Sequence, residues 1–258
     1  MSANDLPGLT DVNVARLTSQ IYDATLAVLY PQACAICGHS VESRRDGVAC
    51  SRCWDATTLF SESDPLCGKC GAISRATVAG DSRHNLRCGR CDEDAYDAAR
   101  ACGSYEGALR AAILELKRQP HVPRRIAYLL SEVQRRAPLH SAELIVPVPL
   151  HANRERERGF NQATSLAREL ARLSGLPLDE HSVIRRHHTE RHRSGMDAKA
   201  RRKSVSRAFA VRHADVIAGK RVLLIDDVFT TGATVSACAA VLIDAGAEDV
   251  SVLTVARA

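Results

Sequence analysis

The stretch Val222-Leu223-Leu224-Ile225-Asp226-Asp227-Val228-Phe229-Thr230-Thr231-Gly232-Ala233-Thr234 decides how this chain is read. Four apolar residues, Val222 to Ile225, have the composition of a buried parallel strand. Asp226 and Asp227 come where that strand should emerge, and a short Thr/Gly turn follows. From Val235 to Ile243 the apolar residues return at helical spacing. A strand ending in a loop that opens onto a helix N-terminus is an anion site: backbone N–H groups and the helix dipole converge on the ligand, and threonine hydroxyls add donors. Gly232 lets the backbone turn tightly and approach a phosphate closely. Two adjacent carboxylates beside such a cradle suit a phosphorylated sugar. Thr230, Thr231, Gly232, Ala233 and Thr234 would take the phosphate, while Asp226 and Asp227 would take ribose hydroxyls and organise Mg²⁺.

Eight of the ten cysteines fall in four Cys-x-x-Cys pairs, Cys34/Cys37, Cys50/Cys53, Cys67/Cys70 and Cys88/Cys91. Twelve residues separate the first two pairs and seventeen the last two. Each pair can present two thiolates from one tight turn, so the spacing predicts two structural Cys₄ zinc centres. Short loops favour sequential pairing, with an interleaved cross-brace as the alternative. A thioredoxin-like redox role calls for one such pair on a βα unit, not four in series. Cys102 and Cys238 stand outside the pattern and read as small core residues. Trp54, next to Cys53, reads as packing within the zinc region.

At 258 residues, with 45% hydrophobic and 25% charged content, the chain has the composition of a soluble globular protein of one or two domains. No apolar run approaches the roughly 18 residues of a membrane-spanning helix. The first residues lack the cationic region of a secretory signal, so a cytoplasmic location is expected. The net charge of +5 is uneven. Residues 151–207 hold fourteen Lys/Arg against seven Asp/Glu, a balance of +7, whereas residues 31–98 hold eight against ten.

The pattern predicts an amphipathic helix over about 10–30, the zinc region to residue 97, and an α/β domain over 98–258. Strands are expected at 98–105, 144–150, 222–225 and 250–255. Helices are expected at 107–118, 124–136, 161–174 and 235–245, with a charged loop after residue 150 and a long basic loop over 185–207. Strands alternating with helices make a mostly parallel sheet, whose ligands bind at the carboxyl ends of the strands.

A second constellation runs Val146-Pro147-Val148-Pro149-Leu150-His151, then Arg154, Arg158, Gly159, Phe160, Asn161 and Gln162. Arginine suits pyrophosphate because its planar fork donates two hydrogen bonds at once. Glu155 and Glu157 between the arginines also fit an exposed, salt-laced turn.

The 222–234 segment resembles the signature of type I phosphoribosyltransferases, which bind phosphoribosyl pyrophosphate (PRPP). With the double zinc ribbon and Pro-Val-Pro-Leu…Arg-Gly-Phe-Asn-Gln-Ala, the chain from about residue 30 onward resembles the ComF family of competence and GntX-like proteins. That resemblance implies a type I phosphoribosyltransferase-like sheet flanked by helices, behind an N-terminal double zinc ribbon. It also implies a pyrophosphate loop containing Pro149, Leu150, His151, Arg154 and Arg158, and a hood loop over 184–209. The family's Arg-x-x-Asn in that hood is replaced here by a stretch with Arg202 and Ser204, and a Gln by His192. His187, His188 and His192 read as part of a solvated basic loop. Two activities follow: phosphoribosyl transfer from PRPP to an unknown nitrogen acceptor, or non-catalytic binding of nucleotide or single-stranded DNA during DNA uptake.

Overall fold

The computed structural model describes residue 25 and residues 31–73, 86–186 and 208–258. Apart from Thr25, the expected helix over 10–30 lies outside the described residues. So does most of the basic loop, with His187, His188, His192, Arg202 and Ser204.

In chain order the helices are α1 (Ser51–Asp55), α2 (Gly107–Leu116), α3 (Arg124–Gln134), α4 (Ala152–Arg158), α5 (Gln162–Ser174), α6 (Ala214–Ile217) and α7 (Ala233–Asp244). The strands are β1 (Ala98–Ser104), β2 (Leu144–Pro147), β3 (Val183–Arg185), β4 (Phe209–Val211), β5 (Arg221–Phe229) and β6 (Asp249–Arg257). Four of these form an all-parallel sheet in the order β1-β6-β5-β2, and β3 and β4 make a separate antiparallel pair.

Both faces of the sheet are covered, which is why Leu144–Pro147 of β2 and Val222–Ile225 of β5 read as unbroken apolar runs. Leu223 and Ile225 pack with Ile113, Leu130 and Leu166 of α2, α3 and α5. Val222 and Leu224 point the other way, onto Val235, Cys238 and Leu242 of α7. Cys102 and Cys238 are buried core residues, as expected.

The zinc region closes the edge of β1. Ser104 N donates to Thr58 O, Phe60 N to Cys102 O and Ala99 N to Lys69 O, so a strand edge that would invite pairing with another chain is occupied. Its halves reach opposite faces: Cys34, Cys50 and Trp54 join the α2/α3 core, and Cys67, Cys70 and Cys91 join the α7 core.

Three boundaries differ from expectation. β5 continues through Asp226 and Asp227 to Phe229, because β6 is equally long and pairs with it as far as Arg257. β2 stops at Pro147, short of the second proline. The charged stretch after His151 is a helix, not a loop. His151 Nδ1 caps it by accepting from Asn153 N at 3.2 Å, and Gly159 ends it in the left-handed region. Arg and Glu are good helix formers, but α4 buries no residue, so no apolar period announced it. α5 follows the sequence closely: Asn161 Oδ1 accepts from Ala163 N, and Gly175 terminates it.

Candidate functional site

The cysteines gather as two sets, Cys34/Cys37/Cys50/Cys53 and Cys67/Cys70/Cys88/Cys91, each with all sulfurs within 4.8 Å of one another. The grouping is sequential rather than interleaved. A tetrahedral zinc with bonds of about 2.3 Å needs sulfurs roughly 3.8 Å apart. The separations fit: Cys34–Cys53 3.7 Å, Cys37–Cys50 3.6 Å, Cys67–Cys91 3.8 Å and Cys70–Cys88 3.6 Å. Burial raises the Cys34 and Cys67 thiols, but hydrogen bonds from knuckle backbone outweigh it and bring each to about 6. Each set thus holds one thiol poised as the thiolate a zinc ligand requires, while burial and the neighbouring thiols push Cys53 up to about 12 and raise Cys91 as well. Trp54 is buried with Arg125 stacked 4.7 Å from its ring, the packing role expected of it.

The acids sit within β5, not beyond it. Asp226 is half-buried and pairs in register with Thr254; Asp227 is only 8% exposed. The expectation that the acids lie where the strand emerges is therefore corrected: the longer sheet encloses the pair. Burial first, and then the Asp227 charge, push the Asp226 carboxyl up to about 8. Asp226 Oδ1 accepts from Asp227 N at 2.8 Å. Asp227 Oδ2 is held from two sides, by Lys117 Nζ at 3.2 Å and Gln162 Nε2 at 3.3 Å.

Past the acids, Thr230 and Thr231 are exposed, Gly232 is buried at φ +80°, and Ala233 begins α7. A Cβ at Gly232 would lie 2.8 Å from Phe229 Cζ, so only glycine fits this turn without displacing the ring. Thr231 Oγ1 accepts from Ala233 N at 3.4 Å. The remaining first-turn N–H groups have no partner within the helix, and α7 carries no acid in that turn.

Lys117, Arg118, Arg154, Glu157 and Arg158 line a cavity of about 600 Å³. It adjoins the acids through Lys117 and through Arg158, whose Nη1 donates to Gln162 Oε1 at 2.6 Å. Pro149 and Leu150 are not brought to this cavity. They line another, of about 390 Å³, with Asn161, Arg185 and Arg186, while His151 is engaged as the cap of α4. Burial lowers the Arg185 guanidinium, which feels both Arg154 and Asp226 and lies 5.3 Å from the Phe209 ring.

Lys117, Arg118 and Arg185 are the additions to the site that sequence reasoning did not supply. Lys117 and Arg118 read as ordinary cations at a helix C-terminus, where they complement the dipole. Only the topology carries the end of α2 to Asp227. Gln162 belongs to a quoted motif, yet its role as a bridge between Arg158 and Asp227 needed the fold.

The chain matches the double zinc ribbon domain family over residues 25–92 and the phosphoribosyl transferase domain family over residues 156–258. It is 32% identical over 234 residues to Competence protein F of Haemophilus influenzae, covering 87% of this chain and 96% of that protein. It is 28% identical over 235 residues to the DNA utilization protein YhgH of Escherichia coli, covering 88% and 97%. Competence protein ComFC of Bacillus subtilis matches at 36% over 115 residues, 44% of each chain. With two clustered Cys₄ sets, a parallel sheet carrying the Asp-Asp/Thr-Gly loop, and this likeness along most of its length, the chain belongs to the competence protein F (ComF) family.

Proposed function

We propose that this protein binds PRPP and transfers its phosphoribosyl group to a nitrogen nucleophile, releasing pyrophosphate. The observation that supports this reading best is the basic cavity of Lys117, Arg118, Arg154 and Arg158 beside the Asp226–Asp227 pair. One patch gathers positive charge for a polyanion, the next offers carboxylates for ribose hydroxyls, and the Thr230–Thr234 loop offers N–H groups for a 5-phosphate. The acceptor nitrogen forms its bond to C1 as the C1–O bond electrons leave with pyrophosphate, and the acceptor's proton passes to solvent. Charge then grows on the leaving oxygens. The Arg154 and Arg158 guanidiniums of α4, with Lys117 and Arg118, are pre-positioned to offset it. Mg²⁺ would neutralise pyrophosphate oxygens. Asp226 and Asp227 would supply the one or two carboxylates such a hydrated ion takes alongside substrate phosphates. Thiols grouped for metal rather than joined in disulfides agree with work in the cytoplasm; among the described residues, no helix is long and apolar enough to cross a membrane.

A second reading is favoured by the names of the relatives, a competence protein and DNA utilization proteins. There, the same cations hold nucleotide or single-stranded DNA without chemistry. Pyrophosphate release from PRPP, assayed with Mg²⁺ across a panel of nitrogenous bases, separates the two. Base-dependent release supports transfer; PRPP binding without release under any base supports the binding role.

A further inference from the structure

The Cys67/Cys70 knuckle and the Thr230–Thr234 loop are joined by a short chain of contacts through the last residue of β6. Arg257 Nη1 donates to Cys70 O at 2.6 Å, and Nη2 lies 3.8 Å from Cys70 Sγ. The same guanidinium stacks 4.4 Å from the Phe229 ring, its partner in the β5–β6 register. Tyr96 meets that ring edge-on at 5.9 Å. Gly232 rests on the ring so closely that a Cβ there would come 2.8 Å from Phe229 Cζ and 3.4 Å from Tyr96 Oη. A second, independent tie runs just beyond Cys91: Ala95 N donates to Ser236 Oγ, in the first turn of α7, at 3.0 Å.

We infer that Arg257 is a positioning residue that seats the Thr230–Thr234 loop on the Cys67/Cys70/Cys88/Cys91 centre, so that zinc there and phosphate on the loop favour one another. The inference rests on reading that loop as a phosphate site.

The loop's N–H groups bind an anion well only if they already point at it, and their direction is set by the Gly232 turn. That turn lies on Phe229, whose position is fixed by the guanidinium over its face and the tyrosine at its edge. The guanidinium is anchored by a knuckle whose shape requires four thiolates to converge on one metal. Without zinc, Cys70 loses its fixed place and Arg257 loses its acceptor. The other centre packs against α2 and α3 through Trp54, so it serves as an internal control.

The test uses the full chain with both zincs bound and ribose 5-phosphate as the probe. Calorimetry on wild type, Arg257→Met and Arg257→Lys should show an affinity about five- to tenfold weaker for the methionine variant. Lysine, which keeps a donor for Cys70 O and a cation over Phe229, should recover much of it. Both variants should retain two zincs. Linkage adds a reading that a merely structural residue would not move. In wild type, saturating ribose 5-phosphate should tighten one of the two zincs against a chelator, and in Arg257→Met it should not. Equal affinities in all three proteins, with zinc binding insensitive to the sugar phosphate, would overturn the coupling and leave the loop assignment standing. No binding of ribose 5-phosphate by wild type would overturn the loop assignment, and the coupling with it. If Arg257→Met fails to fold, the wild-type chelator competition decides alone.

Discussion

Lys117 and Asp227 meet at 3.2 Å, joining the end of α2 to the acid pair on β5. Asp227 is nearly buried, whereas Lys117 keeps a third of its side-chain surface exposed. The pair therefore does more for the site than for stability. It fixes one carboxylate and brings a cation to the wall of the basic cavity.

Lys117→Met is expected to weaken pyrophosphate binding by roughly tenfold, the loss of one charge-assisted contact. Unfolding free energy should fall by only about 1 kcal/mol, because one partner is substantially solvated and Gln162 still donates to Asp227. Pyrophosphate calorimetry and urea denaturation of the same variant check both halves.

The pH dependence follows from Asp226, whose carboxyl is raised to about 8 by burial and by Asp227. Its folded value exceeds the unfolded value of about 3.9. The folded state therefore holds the extra proton between those limits. The contribution of Asp226 to stability is fully present below about pH 4 and is lost as the pH climbs towards 8. A ligand that needs the ionised carboxylate must displace that proton. PRPP affinity in the presence of Mg²⁺ should rise by up to about tenfold per pH unit below pH 8 and level off above it. Asp226→Asn should remove that component, and calorimetry in buffers of different ionisation enthalpy should show proton release in wild type alone.

Much of this was legible in residue order, for identifiable reasons. The apolar run Val222–Ile225 marks a strand buried on both faces. Asn161 and Gly175 bracket α5, and the Cys-x-x-Cys spacing foretells two compact thiol clusters. Other features depend on placement. Asp226 and Asp227 look like a strand exit until β6 is seen to run alongside as far as Arg257. α4 has no buried face, so periodicity could not reveal it. Lys117, Arg185 and Arg257 carry no local signature, since their partners lie far off in sequence and meet them only through the order β1-β6-β5-β2.

The two zinc centres should be separable by tryptophan fluorescence. Trp54, the sole tryptophan, lies 2% exposed in the core shared by Cys34 and Cys50. Cys50→Ser should lower the zinc content by one and shift Trp54 emission to the red. Cys88→Ser should also lose one zinc, yet leave that emission unchanged. A red shift in both would mean that the halves fold as one unit.

If the basic cavity also receives a nucleic-acid backbone, single-strand affinity should fall with salt by a log–log slope of roughly −0.7 per phosphate contact. Replacing Arg118 and Arg154 together by glutamine should then flatten the slope by about 1.4. An unchanged slope would place any DNA contact elsewhere on the molecule.

The proposed phosphoribosyl site consists of Asp226 and Asp227 with the Thr230–Thr234 loop. Its most direct measurement is calorimetry of PRPP with Mg²⁺ on wild type and on Asp226→Asn/Asp227→Asn. Amide for carboxylate keeps the shape, so zinc content and melting behaviour should stay near wild type while PRPP binding is abolished. PRPP binding with undiminished affinity to the double variant would contradict the account and leave the acid pair as inherited architecture.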